Sequence, residues 1–363
     1  MIISRTPFRV SFFGGGTDYP SWYRDHGGQV LSTAIDKYCY ITLRNLPPFF
    51  EHRIRAVYSK IEQCQTIDEI RHPAIRETLR FLKYDHSVEI HHDGDLPARS
   101  GMGSSSSFTV GFLHALYALR GRMPSKEQLA LESIHIEQRM IKESVGSQDQ
   151  CAAAYGGFNH IIFHRDGEIE VRPLTLSPSR LSELSDHLML FYTGIMRTAS
   201  DVAKTYIEDL DGKAGLLRRM HAMVDDGIEL VQSNRCICGF GELLHSAWEA
   251  KRSLSSNISN GEVDEYYARA RENGAIGGKL TGAGGGGFLM LFVPPSAQRR
   301  VREALCDLLH VPFTFNRHGS QIIFYEPSAE DYTAAEYDNV KRNIRTFREL
   351  HTLAANSRPA TGD

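Results

Sequence analysis

Apolar positions along this chain recur at two periods, and the alternation between them predicts a mixed α+β protein. Short apolar runs over 9–13, 88–92, 158–163, 188–192, 288–293 and 321–325 read as strands, as does a longer run over 29–43 that is interrupted near Ile35, Asp36 and Lys37. Apolar residues spaced three and four apart predict helices between them. Ile70, Ile75, Leu79 and Leu82 mark one over 67–84. Phe108, Phe112, Leu116 and Leu119 mark another, which opens near Ser104 and is closed by Gly121 and Pro124. Leu129, Ile134 and Ile141 give the inner face of a helix over 126–143 that Ser125 can cap, and further helices are expected over 199–211, 214–233 and 240–255.

Length turns this pattern into two domains. At 363 residues the chain exceeds the ~250–300 at which single cores stop growing, and the gap between the strands at 158–163 and 188–192 is the expected boundary. The division is 1–185, 186–345 and a tail over 346–363. The 41 basic residues nearly cancel 44 acidic ones, which argues against a nucleic-acid or anionic-membrane surface and for small-molecule chemistry. No apolar run reaches the ~18 residues of a membrane span. Six scattered cysteines, without zinc-site or disulfide-scaffold spacing, suggest a reduced, cytoplasmic setting. A homo-oligomer stays open.

The chemistry concentrates in two loops. The stretch 96–107, Leu-Pro-Ala-Arg-Ser-Gly-Met-Gly-Ser-Ser-Ser-Ser, joins a strand to a helix: two glycines allow close backbone approach, and the first helical N–H groups lack internal partners at the positive end of the dipole. It reads as a phosphate site, against the plainer alternative of a flexible cap. A second cluster, Lys-Leu-Thr-Gly-Ala-Gly-Gly-Gly-Gly over 279–287, contains G-x-G-x-x-G but follows a helix and precedes a strand, the reverse of a dinucleotide fingerprint. Asp149, ahead of an Ala-rich run, is either a helix cap or a reactive carboxylate.

In order and spacing these pieces, from Arg5 to about Phe292, resemble the GHMP kinase superfamily, named for galactokinase, homoserine kinase, mevalonate kinase and phosphomevalonate kinase. The resemblance implies an α+β, two-domain fold with an N-terminal ribosomal-protein-like α/β domain and a C-terminal ferredoxin-like domain, and an enzyme that uses ATP and Mg²⁺. It implies that Arg99, Gly101, Met102, Gly103, Ser104, Ser105 and Ser106 hold the nucleotide phosphates, with Met102 where the family has Leu. Gly282, Ala283, Gly284, Gly285 and Gly286 join them from the second loop. Ser105 and Glu137 are the implied metal ligands, with Glu132 and Glu143 as rivals for the carboxylate. Asp149 stands where related kinases place a carboxylate beside the attacking hydroxyl. Arg9, with Arg5 as its rival, stands where they place an arginine facing base and phosphoryl group.

For the acceptor, Gly14, Gly15, Gly16, Thr17 and Asp18 align with the galactokinase substrate loop G-E-H-T-D, keeping its Asp but not its Glu and His. With Gly194, Arg197 and Lys279 they form the implied sugar site, Arg197 being a candidate for a distal phosphate. Gly-Gly-Gly-Thr-Asp at 14–18 and Tyr-Thr-Gly-Ile-Met-Arg at 192–197 are most similar to the heptose 7-phosphate kinase branch. That branch implies phosphorylation of the anomeric hydroxyl of D-glycero-D-manno-heptose 7-phosphate, a small-molecule sugar phosphate, to the 1,7-bisphosphate for nucleotide-activated heptose synthesis. The alternatives are a sugar 1-kinase for unphosphorylated fucose or galactose, and a catalytically inactive sugar sensor on the same scaffold.

Overall fold

The computed structural model describes residues 1–47, 49–195 and 212–326. In chain order the first half comprises β1 (Ile2–Phe13), α1 (Pro20–His26), β2 (Gly28–Asn45), β3 (Ile54–Val57), β4 (Ile61–Cys64), α2 (Pro73–Phe81), β5 (Val88–Gly94), α3 (Ser104–Leu119), α4 (Lys126–His135), α5 (Gln148–Tyr155), β6 (Phe158–Phe163), β7 (Ile169–Pro173) and α6 (Pro178–Asp186). The second half follows with β8 (Leu188–Tyr192), α7 (Ala214–Gln232), α8 (Cys238–Arg252), α9 (Gly261–Glu272), β9 (Gly277–Leu280), β10 (Phe288–Phe292), α10 (Gln298–Ala304), β11 (Leu309–His310) and β12 (Gln321–Tyr325).

Among the described residues the first sheet runs β12-β1-β2-β5-β3-β4, with β6 and β7 continuing from β2. β2 organises it. Its first half pairs with β6 and its second with β5, while β1 runs antiparallel along nearly all of it. The first eight residues of β2 are buried, as expected of a strand flanked on both sides with helices α3, α5 and α7 packed on the β1–β2 pair. No break occurs at Ile35, Asp36 and Lys37. The irregularity lies instead in β1, whose register shifts between Pro7 and Arg9, and the middle of β2 gains a third partner, with Ile35 bridging Phe315 and Asp36 N bonding Thr314 O at 2.9 Å.

The second sheet, β11-β8-β10-β9, is antiparallel throughout. Taken as β8-helices-β9-β10-α10-β11, it has the β-α-β-β-α-β order of a ferredoxin-like unit. The two halves share a core. Phe12 and Phe13 at the end of β1 lie 5.3 and 5.0 Å, centroid to centroid, from Phe240 of α8, both edge-on.

Three further expectations change. The helix over 67–84 becomes a 3₁₀ turn at Ile67–Glu69 and α2, because Pro73 holds His72 extended; the His72 ring then accepts from Ile75 N. The helix over 126–143 gives way after His135 to a π-helical segment, Ile136–Ile141, that ends on Lys142 at φ 63°. The strand at 321–325, expected in the second domain, returns to pair antiparallel with β1 at the edge of the first sheet. The helix expected over 199–211 lies outside the described residues, as does the tail.

Candidate active site

The shift in β1 leaves Phe8 out of register, and Arg9, paired with Ala34 of β2, turns toward the 96–103 loop. Its backbone N–H donates to Met102 O at 3.1 Å, and Nη1 donates to Gly101 O at 2.7 Å. Nε and Nη2 grip the two oxygens of Asp149, each at 2.7 Å. This forked pairing of guanidinium and carboxylate is the strong, directional form of the ion pair. Asp149 opens α5 beneath the same loop, and a Cβ added to Gly103 would stand 3.5 Å from its Oδ2.

The loop is built to leave amides free. Gly103, at φ 76°, precedes α3 without a side-chain cap, so the N–H groups of the first turn face outward at the positive helix end. Met102 is fully buried and pins the loop to the core between its two glycines. Glycine is required where the two loops meet: a Cβ on Gly101 would lie 2.6 Å from Thr281 O, and one on Gly282 would lie 2.5 Å from Gly101 Cα. The 99–103 and 281–287 loops therefore touch backbone to backbone across the domain seam.

Behind α3, the π segment carries Glu137 into the interior with no exposed surface. Ser106 Oγ donates to its Oε2 at 2.9 Å, and the Gln150 amide donates to the same oxygen. Oε1 is buried without a hydrogen-bond partner. Burial pushes the Glu137 carboxyl up to about 7. A buried carboxylate with an open oxygen, beside serine hydroxyls at a phosphate-binding turn, suits a hard cation that keeps waters and phosphate oxygens in its shell. Among the described residues no group of three or more His, Cys, Asp or Glu could hold a metal without such help.

The substrate loop folds on itself. Thr17, fully buried, donates from its hydroxyl to Gly14 O and Gln29 O at 2.8 and 2.9 Å. Asp18 accepts from Gly16 N at 2.9 Å and Gln148 Nε2 at 3.0 Å, and burial raises its carboxyl above the ordinary value. Lys279 is buried with Nζ donating to Phe12 O at 3.0 Å. Lys251 of α8 is equally buried and donates to Gly282 O.

Residues 70–157 match the family described as "GHMP kinases N terminal domain", and 230–311 match "GHMP kinases C terminal". The D-glycero-alpha-D-manno-heptose 7-phosphate kinase of Campylobacter jejuni subsp. jejuni serotype O:2 is 31% identical over 318 residues, 84% of this chain and 93% of that one. The chain belongs to the GHMP kinase family. A further relative is the L-fucokinase/L-fucose-1-P guanylyltransferase of Bacteroides fragilis, 25% identical over 85% of this chain and 36% of that longer protein. The crystal structure of a D-glycero-D-manno-heptose 1-phosphate kinase from Bacteroides thetaiotaomicron shares the fold at TM-score 0.73, with 22% identity over 90% of this chain and 100% of that one. This GHMP kinase is thus an ATP-dependent phosphotransferase. None of its described helices is long and apolar enough to cross a membrane.

Within this kinase the structure separates the rival residues. Arg9, not Arg5, reaches Asp149; Arg5 bonds Gln321 Oε1 at 2.9 Å and lies over the Tyr38 ring. Glu137 is the buried carboxylate, whereas Glu132 bonds Tyr117 and Glu143 has no contact with the serines. The serine hydrogen-bonded to Glu137 is Ser106, while Ser105, the ligand the resemblance implies, is exposed one helical step of about 100° away. Thr17 has no free hydroxyl capacity for a sugar, because the tight turn consumes it. Gly285 and Gly286 are buried against Ile258 and Ile195, so they let the second loop pack, while Gly282, Ala283 and Gly284 keep surface at the seam. Arg99 and Gly194 are exposed beside the loops, and Arg197 lies outside the described residues.

Lys251 and Gln150 sit against the site although the motifs do not mark them. A signal for Lys251 was present: it continues the stripe Phe240, Leu244, Ala247 at helical spacing, a cation in phase with an apolar face.

Proposed function

We propose that this kinase transfers the γ-phosphoryl group of ATP to the anomeric hydroxyl of D-glycero-D-manno-heptose 7-phosphate, giving the 1,7-bisphosphate, in the cytoplasm. The Arg9–Asp149 fork beneath the phosphate loop carries the catalytic reading. The full-length likeness to the Campylobacter enzyme supports the sugar. Each Asp149 oxygen retains acceptor capacity beyond its bond to Arg9, and the side chain is a quarter exposed. An acceptor hydroxyl placed there passes its proton to Asp149 as its oxygen bonds to the γ-phosphorus and the bond to the ADP oxygen breaks.

Arg9, tied to both Gly101 and Asp149, offsets charge that develops on the phosphoryl group. Such transfer depends mainly on positioning and charge, which the rigid seam supplies. Gly101, Gly103 and the first turn of α3, with Gly282 to Gly284 opposite, cradle the nucleotide phosphates. Glu137 and Ser106 would hold Mg²⁺, whose chemistry when bound is to neutralise phosphate charge.

The fucokinase relative favours a second reading, an unphosphorylated sugar as acceptor. Coupled ADP release over a panel of heptose 7-phosphate, heptose, fucose and galactose separates the two. Turnover of the phosphorylated heptose far above the others is expected, and equal or greater turnover of an unphosphorylated sugar refutes the proposal.

A further inference from the structure

Two lysines of the second domain are buried at the seam, each 6% exposed: Lys279, which the resemblance places in the sugar site, and Lys251, which has no assigned role. Lys251 Nζ donates to Gly282 O, at the point where the second loop meets Gly101. Lys279 Nζ donates to Phe12 O at the floor of the substrate loop. Each ammonium has three donors and one carbonyl partner here, and among the described residues neither forms an ion pair. Their charged neighbours are Arg9 on β1, Asp18 in the substrate loop and Asp149 on α5. Asp149 is already forked to Arg9, and Asp18 is satisfied by Gly16 and Gln148.

Arg9 is committed to Asp149, so the Lys251 ammonium keeps two unused donors in an interior where an unsatisfied charge is costly, and those donors call for an anion. Burial lowers Lys251 to about 8, with Arg9 adding to it, and lowers Lys279 further below the ordinary lysine value. Of the two, Lys251 is the one within electrostatic reach of Asp149, and its carbonyl partner abuts the loop whose Gly101 carbonyl Arg9 binds. Lys251 therefore stands where the second loop meets the phosphate loop that Arg9 ties to Asp149.

Building on the kinase reading above, we propose that Lys251 binds the transferring phosphoryl group of the nucleotide from the second domain, opposite Arg9. The two spare donors of Lys251 are then used only when a γ-phosphoryl group is present, so the site distinguishes ATP from ADP through this residue.

The test compares magnesium-ADP with magnesium β,γ-imido-ATP by titration calorimetry on the full chain, wild type and Lys251→Met. Methionine continues the apolar stripe of α8 and removes a buried charge. Loss of one charge-assisted contact is expected to weaken imido-ATP about 10–100-fold while ADP changes less than about twofold. An equal change in both nucleotides, or weakening of the sugar phosphate alone, overturns the assignment. Should Lys251→Met not fold, the wild type decides: its preference for imido-ATP over ADP is expected to fall as pH rises from 7 to 9.5 and Lys251 loses its proton, and a flat preference overturns the proposal. Wild-type protein that binds neither nucleotide refutes the kinase reading instead, so the two failures remain distinct.

Discussion

Replacing Glu137 by Gln tests the buried carboxylate without asking about turnover. The side chain is fully enclosed, its Oε2 is served by Ser106 and Gln150, and its Oε1 has no partner. Burial raises its carboxyl from the ordinary 4.5 to about 7. The folded chain therefore holds a proton that the unfolded chain has released, and this holds throughout the window between those values. Stability contributed there falls as pH rises from 4.5 through 7 and is flat above. Each pH unit corresponds to about 1.4 kcal/mol, so by pH 8 the enclosed anion costs about 3 kcal/mol.

Gln has the same shape and can accept the Gln150 bond without the charge. In chelator and without nucleotide, Glu137→Gln is expected to melt about 3–6 °C above wild type at pH 8, at about 1–2 °C per kcal/mol for a chain of this length. At pH 5 the two should melt together. Differential scanning fluorimetry at both pH values makes the comparison, with Asp18 contributing equally to each protein. A variant that melts lower at pH 8, or by the same margin at both pH values, would show that Glu137 is not an unsatisfied anion in the folded chain. It would then remove the physical argument for a cation there.

Two further outcomes bear on the proposed mechanism. Asp149→Asn should slow turnover roughly 10²–10⁴-fold with nucleotide affinity retained, measured by coupled ADP release and calorimetry; near-wild-type turnover would leave Asp149 as an ordinary acidic residue in the first turn of α5. Ser106→Ala should raise the magnesium needed for half-maximal turnover about 10-fold or more, and by more than Ser105→Ala does. The opposite order would return the ligand to Ser105.

Much of the site could be read without coordinates because its demands are local. A loop that must approach an anion needs glycine and a helix start, and both stand within the run Gly101-Met102-Gly103-Ser104. A second glycine loop was set apart from a dinucleotide fingerprint by the strand that follows it, although it also follows a strand, β9, and not the helix expected there. Five strands of the first sheet and the helix after the serines follow from period and punctuation, whereas β3, β4 and β7 went unmarked. Two readings failed for different reasons: Pro73, a local breaker, cut a helix that the apolar spacing made continuous, and a distant segment, 314–316, bridged a strand that looked broken.

By itself the sequence determined which residues could do chemistry: a phosphate-binding turn, a carboxylate, an arginine and a family resemblance that ordered them. Only the tertiary structure chose among equals. Arg9 over Arg5 depended on a register shift in β1, and Ser106 over Ser105 on the rotation of α3 against a π-helical turn. The placement of Lys251 beneath Gly282, and the return of β12 to the first sheet, depended on contacts between residues far apart in the chain. The reason is physical: backbone conformation answers to near neighbours, whereas the direction a side chain faces, and whether water reaches it, is set by whatever packs against it.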